Sequence, residues 1–216
     1  MRETVEVRSG NYLVALPSFE YLGQLAEALY SDWAAELLVQ TPGMDESARA
    51  EFLDRFQDDG ASRVGLIVLG GLFAESVDFS HAPLAGVICV GVGLPPTSRQ
   101  KEEMRDHFDA SLGPGGGDTV AYQQPAMTKV LQMAGRLLRS PEDRGVLLLI
   151  DDRFARPAFQ RFYPRHWRPV SLRAAEVPAQ LENFWQAVPG LPRLRTSTPP
   201  GPEDQASAPQ AIRQEP

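Results

Sequence analysis

Five short stretches of this chain are apolar with no polar residue on alternate positions. They are Asn11–Leu16 (NYLVAL), residues 36–40 (ELLVQ), 64–69 (VGLIVL), 84–92 (LAGVICVGV) and Val146–Ile150 (VLLLI). A strand without alternation is covered on both faces, which is the condition of a parallel sheet rather than a half-solvated antiparallel one. Segments of helical period separate the runs. Ser18 is placed to cap a helix over Phe19–Tyr30, where Leu22, Leu25, Ala26 and Leu29 recur at helical spacing. Asp45 is placed to cap a second, reaching Phe56, with Ala48, Phe52, Leu53 and Phe56 as its stripe. Two more helices are expected before the last strand. Thr97 and Gln100 suggest a capping box for one over about 97–111, and the other covers 122–139. Strand and helix in alternation predict a doubly wound α/β fold with a mostly parallel sheet and helices on both faces.

The connections read as follows. Residues 112–118 (LGPGGGD) are expected to form a flexible loop, and no G-K-[ST] follows them, so they are not a phosphate loop. Residues 151–167 read as a turn and a basic helix. Residues 178–188 read as a last helix with Leu181, Phe184 and Trp185 inward. From about Pro192 the composition turns to Pro, Ser, Gln and Thr, so residues 1–192 are expected to form one domain and 193–216 a disordered tail.

With 216 residues, 43% of them hydrophobic, the chain can fill one sizeable core. No apolar run is long enough to span a bilayer, and the start MRETVEVRSG has no apolar signal-peptide core. Cys89 is the only cysteine, which leaves no internal disulfide, structural zinc or iron–sulfur cluster to expect. A cytoplasmic location is expected. His81, His107 and His166 are too scattered for a metal site, and Trp33, Trp167 and Trp185 read as packing residues. The net charge of −7 is unevenly spread: residues 1–128 hold 8 Lys/Arg against 19 Asp/Glu, while 129–168 hold 9 against 4. A local basic surface matters more for phosphate binding than the total does.

That basic stretch opens inside the helix YQQPAMTKVLQMAGRLLR. Pro125 suits a first helical turn. At about 100° per residue, Gln132, Arg136 and Arg139 share one narrow stripe. Val130, Ala134, Leu137 and Leu138 fall opposite, as the face that docks on a core. Gly135, unfavourable in a helix interior by about 1 kcal/mol, suggests a close approach. Two guanidiniums and an amide on one stripe fit either a solvated face or multidentate recognition of phosphate oxygens.

The order of motifs resembles that of the DinG/XPD-like DNA helicases of superfamily 2. Residues 11–14 (NYLV) with Pro17, Ser18 and Phe19 resemble motif IV. Residues 70–79 (GGLFAESVDF) resemble motif V, and 122–139, with Q-x-x-G-R-x-x-R, resemble motif VI. Residues 149–167 resemble the segment that follows. The resemblance covers about residues 10–170 and implies a RecA-like three-layer domain, the second motor domain of an ATP-dependent DNA-repair helicase acting on single strands. It implies that Arg136 and Arg139 are arginine fingers on the γ-phosphate and that Gln132 touches that phosphate or the attacking water. Glu75 and Asp78 would serve the nucleotide, and Ser18 and Phe19 the DNA backbone. For Glu75 a helix-start carboxylate, and for Ser18 a plain cap, are the alternatives. Asp151 and Arg153 read as a structural ion pair behind the motif VI helix.

Ser76 departs from the pattern by standing where these helicases have Gly. Neither a Walker A sequence nor a D-E-x-H box is present, so ATP and Mg²⁺ would be held mainly by a first motor domain on another chain or missing from this one. On its own the chain is expected to be inactive. The alternatives to a motor half are a stand-alone nucleic-acid-binding module without ATPase activity and a truncated gene product.

Overall fold

The computed structural model describes residues 1–30, 33, 35–57, 59–71, 73, 83–138 and 143–187. The expected tail, 193–216, lies outside them. So do Glu75, Asp78, Ser76, His81 and Arg139.

Five strands form one sheet in the order β2-β3-β1-β4-β5: β1 Asn11–Leu16, β2 Glu36–Val39, β3 Arg63–Val68, β4 Leu84–Val90 and β5 Val146–Ile150. Every pairing is parallel, from Val14↔Leu66 and Val14↔Ile88 beside β1 to Ile88↔Leu148 at the far side. The doubly wound expectation is therefore met. β3 begins one residue earlier than the apolar run suggests, and β4 stops at Val90, because Gly91 takes φ +76° and turns the chain away.

The apolar runs are two-faced because both faces are covered. Leu13, Ala15, Ile67, Val87 and Cys89 face a core with Phe52, Met127, Val130, Met133 and Phe159. Tyr12, Val14, Leu16, Leu66 and Ile88 face a second core with Val5, Leu22 and Ala26. The first core is covered by α3 (Glu46–Asp54), α6 (Gln124–Ala134) and α7 (Pro157–Gln160). The second is covered by α1 (Arg2–Val7) and α2 (Phe19–Tyr30). The last helix, α8 (Val177–Ala187), seats Leu181 and Trp185 on Val146 of β5. Phe184 is only partly buried there. Three layers with β1 central are thus built from two separate cores.

Several helices differ from expectation in a way that packing explains. Asp45 caps α3 by accepting the N–H of Ala48 at 2.8 Å, but the helix ends at Asp54 and Phe56 is buried just beyond it. The helix α4 (Arg99–Leu112) is capped by Ser98, whose Oγ accepts from Lys101 N–H at 3.3 Å, rather than by Thr97. Residues 112–118 are not a loose loop. They close into a short helix, α5 (Gly116–Asp118), in which a Cβ on Gly117 would stand 1.9 Å from the Arg105 carbonyl oxygen. After β5, a 3₁₀ turn over Asp152–Ala155 and the four-residue α7 replace the expected basic helix.

Candidate functional site

The strand order reverses between β3 and β4, which flank β1. In open α/β sheets ligands bind outside the carboxyl ends of the strands at such a point. The loops leaving those ends carry Ser18 after β1, Gly70 after β3 and Gly91 after β4.

α6 is tied down at its N-terminal end. A π-helical segment, Thr119–Gln123, leads into it, and Pro125 occupies its first turn. Arg161 Nη2 donates to Thr119 Oγ1 at 2.6 Å and to Gln123 Oε1 at 2.5 Å, tying the lead-in to the chain beyond α7. Tyr122 donates its hydroxyl to Glu102 of α4, which also pairs with Arg105 at 2.5 Å. Ala126, Met127, Val130 and Met133 are fully buried, so this face is the anchor. The outward face carries Gln124, Thr128 and Gln132 at intervals of four, all exposed. With Val120, Pro125 and Lys129 they line an open groove of about 380 Å³.

The helix does not run on to 139. It ends at Ala134, and Gly135 is its cap in ordinary right-handed conformation, φ −65° and ψ −14°. From there Arg136 N–H bonds Met133 O at 3.0 Å and Leu137 N–H bonds Ala134 O at 3.1 Å, the tighter three-residue pattern. This turn keeps Leu137 buried but leaves Leu138 54% exposed, so the predicted docking face loses its last member. Among the described residues, only main-chain carbonyls of the preceding turn lie near a Cβ built on Gly135, both at 3.4 Å. Gly135 thus marks the change of helix type, and no close approach to it is made by the described residues. Gln132 faces solvent, and Arg136 is half-buried one turn on. The third member of the stripe, Arg139, falls outside the described residues.

Of the motif V segment, Gly70, Gly71 and Phe73 are described. Phe73 is fully buried with its ring 4.5 Å from that of Phe52. Gln40 is buried at the same edge, and its Oε1 accepts the Val68 N–H at 2.8 Å, pinning the end of β3 to β2. Neither Gln40 nor Lys129 stands out in the sequence; Gln40 closes an apolar run and Lys129 sits off the Gln–Arg stripe. Ser18 accepts the N–H of Tyr21 at 3.2 Å, so it caps α2, and Phe19 beside it is 38% exposed.

Asp151 and Arg153 form the expected pair, at 2.6 Å, and the guanidinium holds the Asp151 carboxyl below its usual range. The Cys89 thiol lies fully buried in β4, and burial pushes it up to about 12, so it is chemically quiet. Trp185 is buried under the Arg8 guanidinium at 5.3 Å, Trp33 packs against the second core, and Trp167 tilts against Tyr163 at 5.3 Å. All three act as packing residues. Among the described residues no helix is long and apolar enough to cross a membrane.

The helicase C-terminal domain family matches residues 1–170. A probable ATP-dependent helicase of Methanocaldococcus jannaschii is 30% identical over 70% of this chain and 25% of its own length. The XPD/RAD3 helicase subunit of the general transcription and DNA repair factor IIH of Saccharomyces cerevisiae is 27% identical over 73% of this chain and 21% of its own. A regulator of telomere elongation helicase 1 homolog of Culex quinquefasciatus is 25% identical over 90% of this chain and 22% of its own. The chain thus spans about a quarter or less of these relatives. A solved XPD helicase structure superposes on 74% of this chain and 28% of its own with a TM-score of 0.57 at 17% identity, which is a likeness of fold.

Proposed function

The chain belongs to the helicase C-terminal domain family, and from that membership we propose that it forms the second motor domain of an ATP-dependent DNA helicase. In this reading Gln132, Arg136 and Arg139 meet the γ-phosphate of an ATP held with Mg²⁺ by a first motor domain on another chain or another part of a longer one. Glu75 and Asp78 serve the nucleotide, and Ser18 and Phe19 meet the backbone of single-stranded DNA. The observation that carries it is the division of labour on α6: fully buried Met127, Val130 and Met133 against exposed Gln132. A helix anchored by one face turns the polar groups of its other face, and the turn that carries Arg136, toward a second body, and positive charge held in place is what phosphoryl transfer requires. The chain alone is expected to show no ATP turnover, because it would supply only half of the γ-phosphate site.

The test is single-turnover ATP hydrolysis in a motor reconstituted with a complementing first domain. Arg136→Ala and Arg139→Ala are expected to lower the rate by about 10³ or more with the fold intact. Parent rates for both would reduce the stripe to a solvated face.

A further inference from the structure

Lys129 lies with its aliphatic stem flat on the main chain of Gly70. A Cβ built on Gly70 would stand 2.5 Å from Lys129 Cδ, 2.6 Å from Cε and 3.0 Å from Cγ. Gly70 also takes φ +76°, in the left-handed region. A side chain there is thus opposed twice, by the backbone and by the lysine. The contact joins α6 to the first residues after β3, the loop that resembles motif V.

The ammonium end has no carboxylate to meet among the described residues. Lys129 shares its groove with Gln124, Thr128 and Gln132, which bring two amides and a hydroxyl. Thr128 spends its proton on the Gln124 carbonyl at 2.9 Å, so the amide N–H groups and the ammonium are the groove's donors. No Asp or Glu occurs between Asp118 and Glu142, in a chain whose net charge is −7. A half-buried lysine with no counter-ion among the described residues, its stem clamped and its groove neighbours neutral, makes a local anion site. Lys129 stands three residues before Gln132, hence on the adjoining stripe about 4–5 Å along the helix axis.

We infer that Lys129, braced by Gly70, is a phosphate-binding residue of this groove, taking the oxygens of a polyphosphate chain beside Gln132. The inference rests on the proposed nucleotide-facing role of α6 and adds a third cation to it. Lysine suits the place because it delivers a point charge from a stem that fits a glycine surface, whereas the guanidiniums supply planar forks further along. The Gly70 contact also gives the loop after β3 a direct mechanical link to the phosphate.

The experiment is titration of the full chain with tripolyphosphate, followed by amide chemical shifts. Gln124, Thr128, Lys129 and Gln132 are expected to shift together. Lys129→Met keeps the stem on Gly70 and removes only the charge; it is expected to weaken tripolyphosphate at least tenfold, and Lys129→Arg to restore most of the loss. Gly70→Ala, which displaces the stem, is expected to weaken binding as Lys129→Met does. Parent-like binding by Lys129→Met, or shifts confined to another surface, would overturn the inference. The arginine-finger reading fails separately. If Lys129→Met loses tripolyphosphate while Arg136→Ala and Arg139→Ala hydrolyse ATP at the parent rate in the reconstituted motor, the lysine site stands and the fingers fall. If the arginine variants lose turnover while Lys129→Met binds as the parent does, only the lysine site falls.

Discussion

Asp151 takes three hydrogen bonds from Arg153: its Oδ1 accepts the main-chain N–H and Nε, both at 2.8 Å, and its Oδ2 accepts Nη2 at 2.6 Å. Asp151 also lies close to Gly91, where a Cβ would meet Pro17 at 3.8 Å and Asp151 Oδ2 at 3.9 Å. The pair therefore shapes the turn by which the chain leaves β5, close to Gly91 at the end of β4. Its effect on stability has a fixed sign. The folded carboxyl is held below its usual value, so the contribution is complete above the unfolded value of about 3.9 and disappears as pH falls through the folded one. Asp151→Asn is expected to cost about 1 kcal/mol at neutral pH, since Arg153 is partly exposed. It should cost almost nothing once pH is low enough to protonate the folded carboxyl as well. Urea denaturation of parent and variant at the two pH values checks this.

Tyr12 supplies a second expectation. Its ring is fully buried and its hydroxyl donates to the Arg8 carbonyl at 2.6 Å, with the Thr4 carbonyl also near at 3.3 Å. Burial holds the phenol well above its usual range, so it stays a donor throughout the stable pH range. The hydroxyl ties α1 to β1. Tyr12→Phe is expected to cost about 1–3 kcal/mol, because carbonyls at the end of a short helix lose a buried partner. Chemical denaturation measures the loss, and hydrogen exchange should place the added opening in residues 2–8.

How much of this was legible in the sequence follows from what each element needs. The strands could be read because a two-faced sheet demands apolar residues at successive positions, and residues 11–16 and 146–150 meet that demand. α1 escaped notice: six residues with two glutamates and an arginine give no helical period, and only the burial of Val5 and Thr4 against the sheet layer justifies it. The turn at 112–118 was misread because glycines usually signal freedom, whereas Gly117 is there for lack of a Cβ. The Gln132–Arg136 spacing was legible as a polar stripe, but the end of α6 at Ala134 depends on Leu137 reaching Gly145, where a Cβ would stand 2.5 Å from Leu137 Cδ1. Lys129 was invisible as a candidate because its significance lies in a contact with Gly70, 59 positions away in the chain.

Gly117 makes the packing claim testable. Gly117→Ala would drive a methyl to within 1.9 Å of the Arg105 carbonyl oxygen, a main-chain atom that cannot move without shifting α4. The Gly117 N–H also donates to Asp109 Oδ1 at 2.8 Å, so any shift strains that bond too. The expected loss is about 3 kcal/mol, at the upper end for an overpacked site. If residues 112–118 were a free loop, alanine would be neutral or slightly stabilising. Thermal and urea denaturation distinguish the two outcomes.

The final expectation separates anchoring from chemistry at the end of α6. Leu137 is 6% exposed and packs on Gly145 and the first core, while Arg136 immediately before it is half-buried at the surface. Leu137→Ala is expected to open a cavity and cost roughly 2–5 kcal/mol. Whatever folded protein remains should still present Gln132 and Arg136, so turnover per folded motor in the reconstituted enzyme should stay near the parent value. Arg136→Lys reverses the pattern. It keeps a long cationic side chain at a half-buried position, so stability should change by about 1 kcal/mol or less, well short of the Leu137→Ala loss. An ammonium cannot reproduce the planar fork that grips two phosphate oxygens, so turnover should remain well below the parent's. The paired measurement is urea denaturation of each variant and single-turnover hydrolysis normalised to folded protein. Should Arg136→Lys turn over ATP like the parent, only positive charge is required at that position. Should Leu137→Ala lose turnover without losing stability, the turn after Ala134 would itself belong to the chemistry.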